Sequence, residues 1–191
     1  MKSLIRYACV LALFVLPSVA FAQEAQQVIS DNKVVYGVGG GVSIPVGDTE
    51  ESLERGFAVH GFARFRLSDT PLIPRVDLEY QKFDFKGGLD GNASMIAGTA
   101  GVQLFIGGAQ SLRFYGVGGI GAYHLKFEAD GPIGGSDSAT RFGLNGGGGV
   151  AFRVNPRLSV YGEIRFVNVL NDEGAVDSDL QTVPFTLGIT F

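Results

Sequence analysis

The chain has 191 residues, 29 of them glycine, with a single cysteine, no tryptophan and a formal net charge of −4. The acidic balance argues against a nucleic-acid binder, which would carry a basic surface. With Cys9 as the sole cysteine, the chain after residue 22 has no disulfide, thiol nucleophile or thiolate metal site. That part also has no run of about 20 apolar residues, so no helix spans a membrane. A membrane-bound form must then be a closed barrel, because open sheet edges cannot face lipid.

Residues 1–22 predict a cleaved secretory signal peptide. Lys2 and Arg6 make a positive start, Ala8 to Leu16 is an apolar run, and Ala20-Phe21-Ala22 is an A-x-A cleavage pattern. Removing Lys2 and Arg6 leaves 13 basic against 19 acidic residues, a mature net charge of −6. Residues 23–33 are polar and read as a short periplasmic lead. From 34 to 191 eight segments show period-2 character, near 34–46, 55–67, 72–85, 94–107, 112–128, 139–154, 157–169 and 180–191. Each is long enough for a transmembrane strand of about 9 to 11 residues. The connections alternate. Short ones fall at Ser68-Asp69-Thr70-Pro71, Gly108-Ala109-Gln110-Ser111 and Asn155-Pro156, and long ones at 47–54, 86–93, 129–138 and 170–179. Short turns alternating with long loops around an even strand count is the pattern of an outer-membrane barrel. The fold expected is all-β, an eight-stranded antiparallel up-and-down transmembrane β-barrel.

The alternation separates two faces. An apolar, lipid-facing set runs through Phe57, Val59, Phe65, Leu67, Val76, Leu78, Tyr80, Ile96, Val102, Leu104 and Ile106. It continues with Tyr115, Val117, Tyr123, Leu125, Phe127, Phe142, Leu144, Val150, Phe152, Leu158, Val160, Ile164 and Phe166. The polar set includes His60, Gln103, His124, Lys126, Asn145 and Tyr161 and most of the charged strand residues. A soluble lipocalin-like barrel would invert these faces. Long strands, a polar face dominated by arginines and carboxylates, alternating loops and aromatics at segment ends favour the membrane reading. The expected aromatic girdle is Phe57, Phe65, Tyr80, Tyr115, Phe127, Phe166 and Phe191.

The polar face supplies the candidate site, a lumen charge network of Arg64, Arg66, Arg75, Asp77, Glu79, Arg141, Arg153, Glu163 and Arg165. An eight-stranded barrel has room only for side chains, so these charges must pair, and a salt-bridged plug is expected over an ion path. Glycine clusters at Gly37–Gly41, Gly116–Gly121 and Gly146–Gly149 read as bends and as space for long lumen side chains. No βαβ unit surrounds Gly116–Gly121, so it is not a nucleotide fingerprint. His60 and His124 lack a serine and carboxylate at recognisable spacing, so no catalytic residue is assigned. No metal or cofactor site is expected either, since the acidic loops lack the ordered spacing of a calcium loop.

The last strand closes the reading. Phe185, Leu187, Ile189 and Phe191 alternate with small or polar residues up to the final position, and Pro184, lacking an N–H, could mark a bulge. With the signal peptide, the Tyr36-Gly37-Val38-Gly39-Gly40 and Tyr115-Gly116-Val117-Gly118-Gly119 openings and the Tyr161–Phe166 strand, this resembles the small eight-stranded outer-membrane barrels. That group holds the membrane domain of outer-membrane protein A and the opacity-type surface proteins. The resemblance covers the whole mature chain and implies that Phe185, Leu187, Ile189 and Phe191 form the signal read by the barrel-assembly machinery. It carries no shared catalytic residues. The expected protein is a non-enzymatic component of the cell outer membrane, structural or interacting through four acidic extracellular loops. Its expected partners are outer-membrane lipid, the assembly machinery during insertion and an extracellular ligand held by the loops, with no nucleic acid. A narrow porin for small solutes and a lipid-modifying enzyme are the alternatives.

Overall fold

The computed structural model describes residues 34–67, 71–87, 91–109, 111–129, 135–170 and 180–191. The expected signal peptide and lead lie outside the described residues, as do parts of three long loops. Eight strands form one closed antiparallel barrel in sequence order. They are β1 (Val34–Val46), β2 (Gly56–Phe65), β3 (Leu72–Asp84), β4 (Gly91–Gly108), β5 (Leu112–Ala129), β6 (Ser136–Asn155), β7 (Leu158–Val169) and β8 (Leu180–Thr190). Among the described residues no helix is long and apolar enough to cross a membrane. The strand bounds match the period-2 reading, except that β4, β5 and β6 run further toward the long loops. Gly91 pairs with Ala129 and Glu128 with Ser136, so part of the connections at 86–93 and 129–138 is ladder.

The barrel closes where the chain ends. Tyr36 and Phe191 exchange both backbone hydrogen bonds at 2.9 Å, and their rings lie 6.3 Å apart on the outer surface. β8 pairs with β1 from Gly37–Thr190 to Val46–Gln181 without a register shift. The bulge expected at Pro184 is therefore absent. On the β7 side the register also holds across the proline, and pairing simply lapses between Ile164–Phe185 and Val167–Thr182. That is the ladder gap a residue without an N–H leaves. Bulges occur instead at the short-turn end, between Phe105 and Gly107 on β4 and between Arg153 and Asn155 on β6.

The outer surface carries the apolar set. Leu78 is 64% exposed, and Val38, Val59, Ile96, Ile120, Phe142, Ile164 and Leu187 are exposed with it. A belt of this kind would be unstable in water and is what a lipid-facing wall requires. Phe57 and Tyr80 pack 5.8 Å apart near its long-loop edge.

β5 departs from the expected faces. Tyr115, Val117, Tyr123 and Leu125 are buried in the lumen, whereas His124 and Lys126 are exposed outside. Tyr115 is therefore not part of a girdle. Register explains this inversion. Tyr115 and Tyr123 pair with Phe105 and Ala97 of β4 and with Gly149 and Arg141 of β6, all lumen positions. The outer face of β5 then carries Leu112, Phe114, Ile120, small residues and, near its long-loop end, His124 and Lys126. Glycine makes this packing possible. A Cβ on Gly149 would lie 2.5 Å from the Tyr115 hydroxyl, and one on Gly39 would lie 2.5 Å from that of Tyr161.

Candidate functional site

The lumen is filled in layers. At mid-height four charges close a ring. Arg75 and Asp77 project from β3, and Glu163 and Arg165 from β7. In an eight-stranded barrel those strands stand four apart, on opposite walls. Both run in the same direction, so Arg-x-Asp faces Glu-x-Arg with opposite charges at each height. Arg75 donates from its two terminal nitrogens to Glu163, at 2.8 and 3.2 Å. Arg165 donates to Asp77 Oδ1 at 2.6 Å. The ring is completed along each strand, by Arg75 Nε to Asp77 Oδ1 at 2.9 Å and Arg165 Nε to Glu163 Oε1 at 2.6 Å. All four side chains are buried.

Neighbours complete the layer. Tyr115 donates its hydroxyl to Glu163 Oε2 at 2.9 Å, so both Glu163 oxygens are engaged. His60 Nε2 lies 2.8 Å from Asp77 Oδ1, and its Nδ1 lies 3.3 Å from the Tyr161 hydroxyl. The Arg75 guanidinium also sits 3.6 Å over the Phe62 ring and donates to Gln103 Oε1 at 3.2 Å. A buried ion pair offsets its desolvation only when the remaining lone pairs and protons are also bonded, and this layer supplies those bonds.

Toward the long loops, Glu79 accepts a short hydrogen bond from Gln81, and Ser43 donates to Gln81 Oε1 at 2.6 Å. Asn145 donates to the Tyr123 hydroxyl at 3.1 Å. Above them the lumen turns apolar, with Met95, Ala97, Tyr123, Leu125, Val167 and Val169 in one buried cluster. Leu53, Phe83 and Ala93 form another at the mouth, with Phe85 and Leu180 packed against it. Leu53 belongs to the first loop, which begins with a 3-10 helix (Gly47–Glu51) and folds over the opening. Glu54 N donates to Asp84 O at 2.8 Å, and Lys86 N to Ser52 O at 2.9 Å.

The nine residues expected to share one network divide. Arg75, Asp77, Glu163 and Arg165 form the ring, and Glu79 sits one layer above it. Arg64, Arg66 and Arg153 lie instead at the short-turn mouth, and Arg141 pairs with Tyr123 toward the loop end, all four half-buried. Tyr115, Gln81, Ser43 and Phe62 belong to the interior without having been singled out for it, whereas Gln103 was expected on the polar face. A legible signal did exist: two alternate-residue charge pairs of complementary order on segments four apart. The two histidines do not meet. His60 is in the ring layer, and His124 is on the outside of β5, with Nδ1 2.9 Å from Thr140 Oγ1. Among the described residues no group of three or more His, Cys, Asp or Glu could hold a metal ion.

Comparison with solved structures shows the same architecture. Neisserial surface protein A superposes with a TM-score of 0.64 at 14% identity, covering 83% of this chain and 96% of that one. A major outer membrane protein from Thermus thermophilus gives 0.61 at 14% identity, covering 84% and 99%. Ail, the attachment invasion locus protein of Yersinia pestis, gives 0.52 at 20% identity, covering 83% and 97%. No curated protein matches in sequence. The family model described as the outer membrane protein beta-barrel domain matches residues 10–191. The chain thus belongs to the outer-membrane β-barrel family and resides in the outer membrane.

Proposed function

We propose that the protein is a non-enzymatic barrel whose lumen is a structural plug and whose outer loops carry its interactions. The observation that carries this reading is the ring of Arg75, Asp77, Arg165 and Glu163 across the lumen, with the apolar clusters above it. Its carboxylates are held by guanidiniums, and among the described residues His60 is bonded to Asp77 and Tyr161 rather than to a serine. Both facts weigh against a lipid-modifying enzyme. The narrow-porin alternative requires water to pass two filled layers. Purified protein in planar bilayers should therefore show no current steps; reproducible conductance altered by Glu163→Gln would overturn the plug.

The described part of the first loop exposes Glu50, Glu51 and Glu54. The acidic residues expected in the other loops lie largely outside the described residues. Ail has been solved with the heparin analogue sucrose octasulfate. An acidic outer face would repel such a polyanion, so a cationic or neutral extracellular partner fits this chain better. Phe185, Leu187, Ile189 and Phe191 form the strand read during insertion by the barrel-assembly machinery, a role supported by their exposure on the seam with β1. Deleting Phe191 should lower the amount of heat-modifiable barrel in cells while protein refolded in detergent stays native. Equal assembly of both forms in cells would exclude the role.

A further inference from the structure

We infer, on the reading of the lumen as a structural plug, that His60 is a proton-operated switch. Neutral, it holds Asp77 of the charge ring; protonated, it lets go and turns to Glu79. Imidazole is the side chain whose ordinary titration falls between pH 5 and 8. The chain has two histidines. His124 lies on the outer face of β5, and His60 is buried in the lumen. Its Nε2 lies 2.8 Å from Asp77 Oδ1, 3.0 Å from a terminal nitrogen of Arg75 and 3.2 Å from one of Arg165. Its Nδ1 lies 3.3 Å from the Tyr161 hydroxyl. A bare Nε2 would set its lone pair against the Asp77 carboxylate, and guanidinium nitrogens cannot accept. In the neutral ring Nε2–H therefore donates to Asp77, and Nδ1 accepts from Tyr161. One chain of hydrogen bonds then runs from Tyr161 through His60 to Asp77.

A second proton breaks that chain. On Nδ1 it meets the hydrogen of the Tyr161 hydroxyl, and the imidazolium sets a third positive charge against two guanidiniums. Asp77 offsets little of it, since Oδ1 already accepts from Arg75 Nε at 2.9 Å and from Arg165 at 2.6 Å. Glu163 is likewise engaged by Arg75, Arg165 and Tyr115. Glu79 differs. It stands directly opposite His60 across the β2–β3 ladder, and its hydrogen bond comes from the neutral amide of Gln81. Repulsion from the guanidiniums and attraction to Glu79 therefore act in one direction, away from the ring. Arg64, on the same face of β2 beyond Phe62, adds to the repulsion. From β5 the titratable neighbours are Tyr115 and Tyr123. The lumen residues of β1, β4, β6 and β8 in this stretch, among them Gly39, Gln103, Asn145 and Thr186, carry no charge. Tyr161 leans on Gly39 and Gly188, which pair across the β1–β8 seam. Release of Tyr161 thus reaches the strand pair that closes the barrel.

The test uses the full mature chain carrying H124Q, labelled with 15N-histidine and refolded in a zwitterionic detergent, with folding checked by heat-modifiable mobility. Nuclear magnetic resonance then reads His60 alone from pH 8 to pH 5. At pH 8 the Nε2–H form is expected. At pH 5 the doubly protonated ring is expected, with loss of the proton–proton contact between His60 and Tyr161. E79Q removes the attracting charge and should weaken proton uptake by His60 about tenfold or more, the scale of one nearby opposite charge. Y161F removes the donor to the neutral ring and should strengthen proton uptake. If E79Q does not fold, Y161F decides. A ring that stays neutral to pH 5, a charged ring that keeps its Tyr161 contact, or titration unaltered in the folded variants overturns the switch. Conductance at neutral pH judges the plug, so the two readings fail separately.

Discussion

At mid-height the lumen is crossed by ionised side chains from opposite walls, Arg75 and Asp77 meeting Glu163 and Arg165. Toward the long loops the same lumen is filled by Met95, Leu125, Val167 and Val169, with Leu53 and Phe83 above them. Both layers close the barrel, but by different physics. The ring is directional: each charge depends on a named partner, and removing one strands another in a low dielectric. The apolar layer is non-directional, and its members are replaceable by others of similar volume. A narrow barrel thus fixes the alignment of its walls with charge pairs and seals its mouth with packing.

The comparison can be broken at either layer. The largest effect is expected from Glu163→Gln, which leaves Arg75 and Arg165 short of a buried counter-charge. Breaking one side of a buried pair costs about 3–5 kcal/mol, readable as a lower urea midpoint for protein inserted in phospholipid vesicles. A change close to zero would mean that water, not Glu163, carries that charge balance. Leu125→Ala, in the apolar layer, is expected to cost less, about 2–3 kcal/mol, because a site near the mouth can partly collapse. Leu125→Met should be nearly silent in the same measurement. If the apolar layer proved as intolerant of Met as the ring is of Gln, the contrast between them would fail.

Much of this architecture is legible in the residues. Strand positions follow from period-2 alternation, since every side chain of a barrel wall points either into lipid or into the lumen. The seam is legible in Phe185, Leu187, Ile189 and Phe191, which alternate to the end of the chain. β5 is the exception, for a definite reason. Tyr115 and Tyr123 are apolar in body and polar at the tip, so alternation alone cannot say whether the ring faces lipid or the hydroxyl faces a carboxylate. His124 and Lys126 mislead in the same way. They are polar yet lie on the outer face of β5, His124 directly opposite the exposed Ile96 of β4.

The sequence by itself therefore determined the strand count, the membrane, the lipid face of most strands and the need for lumen charges to pair. Only the tertiary structure decided which charges pair. Arg75 and Glu163 are 88 residues apart, and nothing local relates them. Closure of eight strands sets β3 against β7, and the register of each ladder sets the height of every side chain. The same closure divides the arginines between ring and short-turn mouth, because height along the barrel axis is a sum over all the intervening registers.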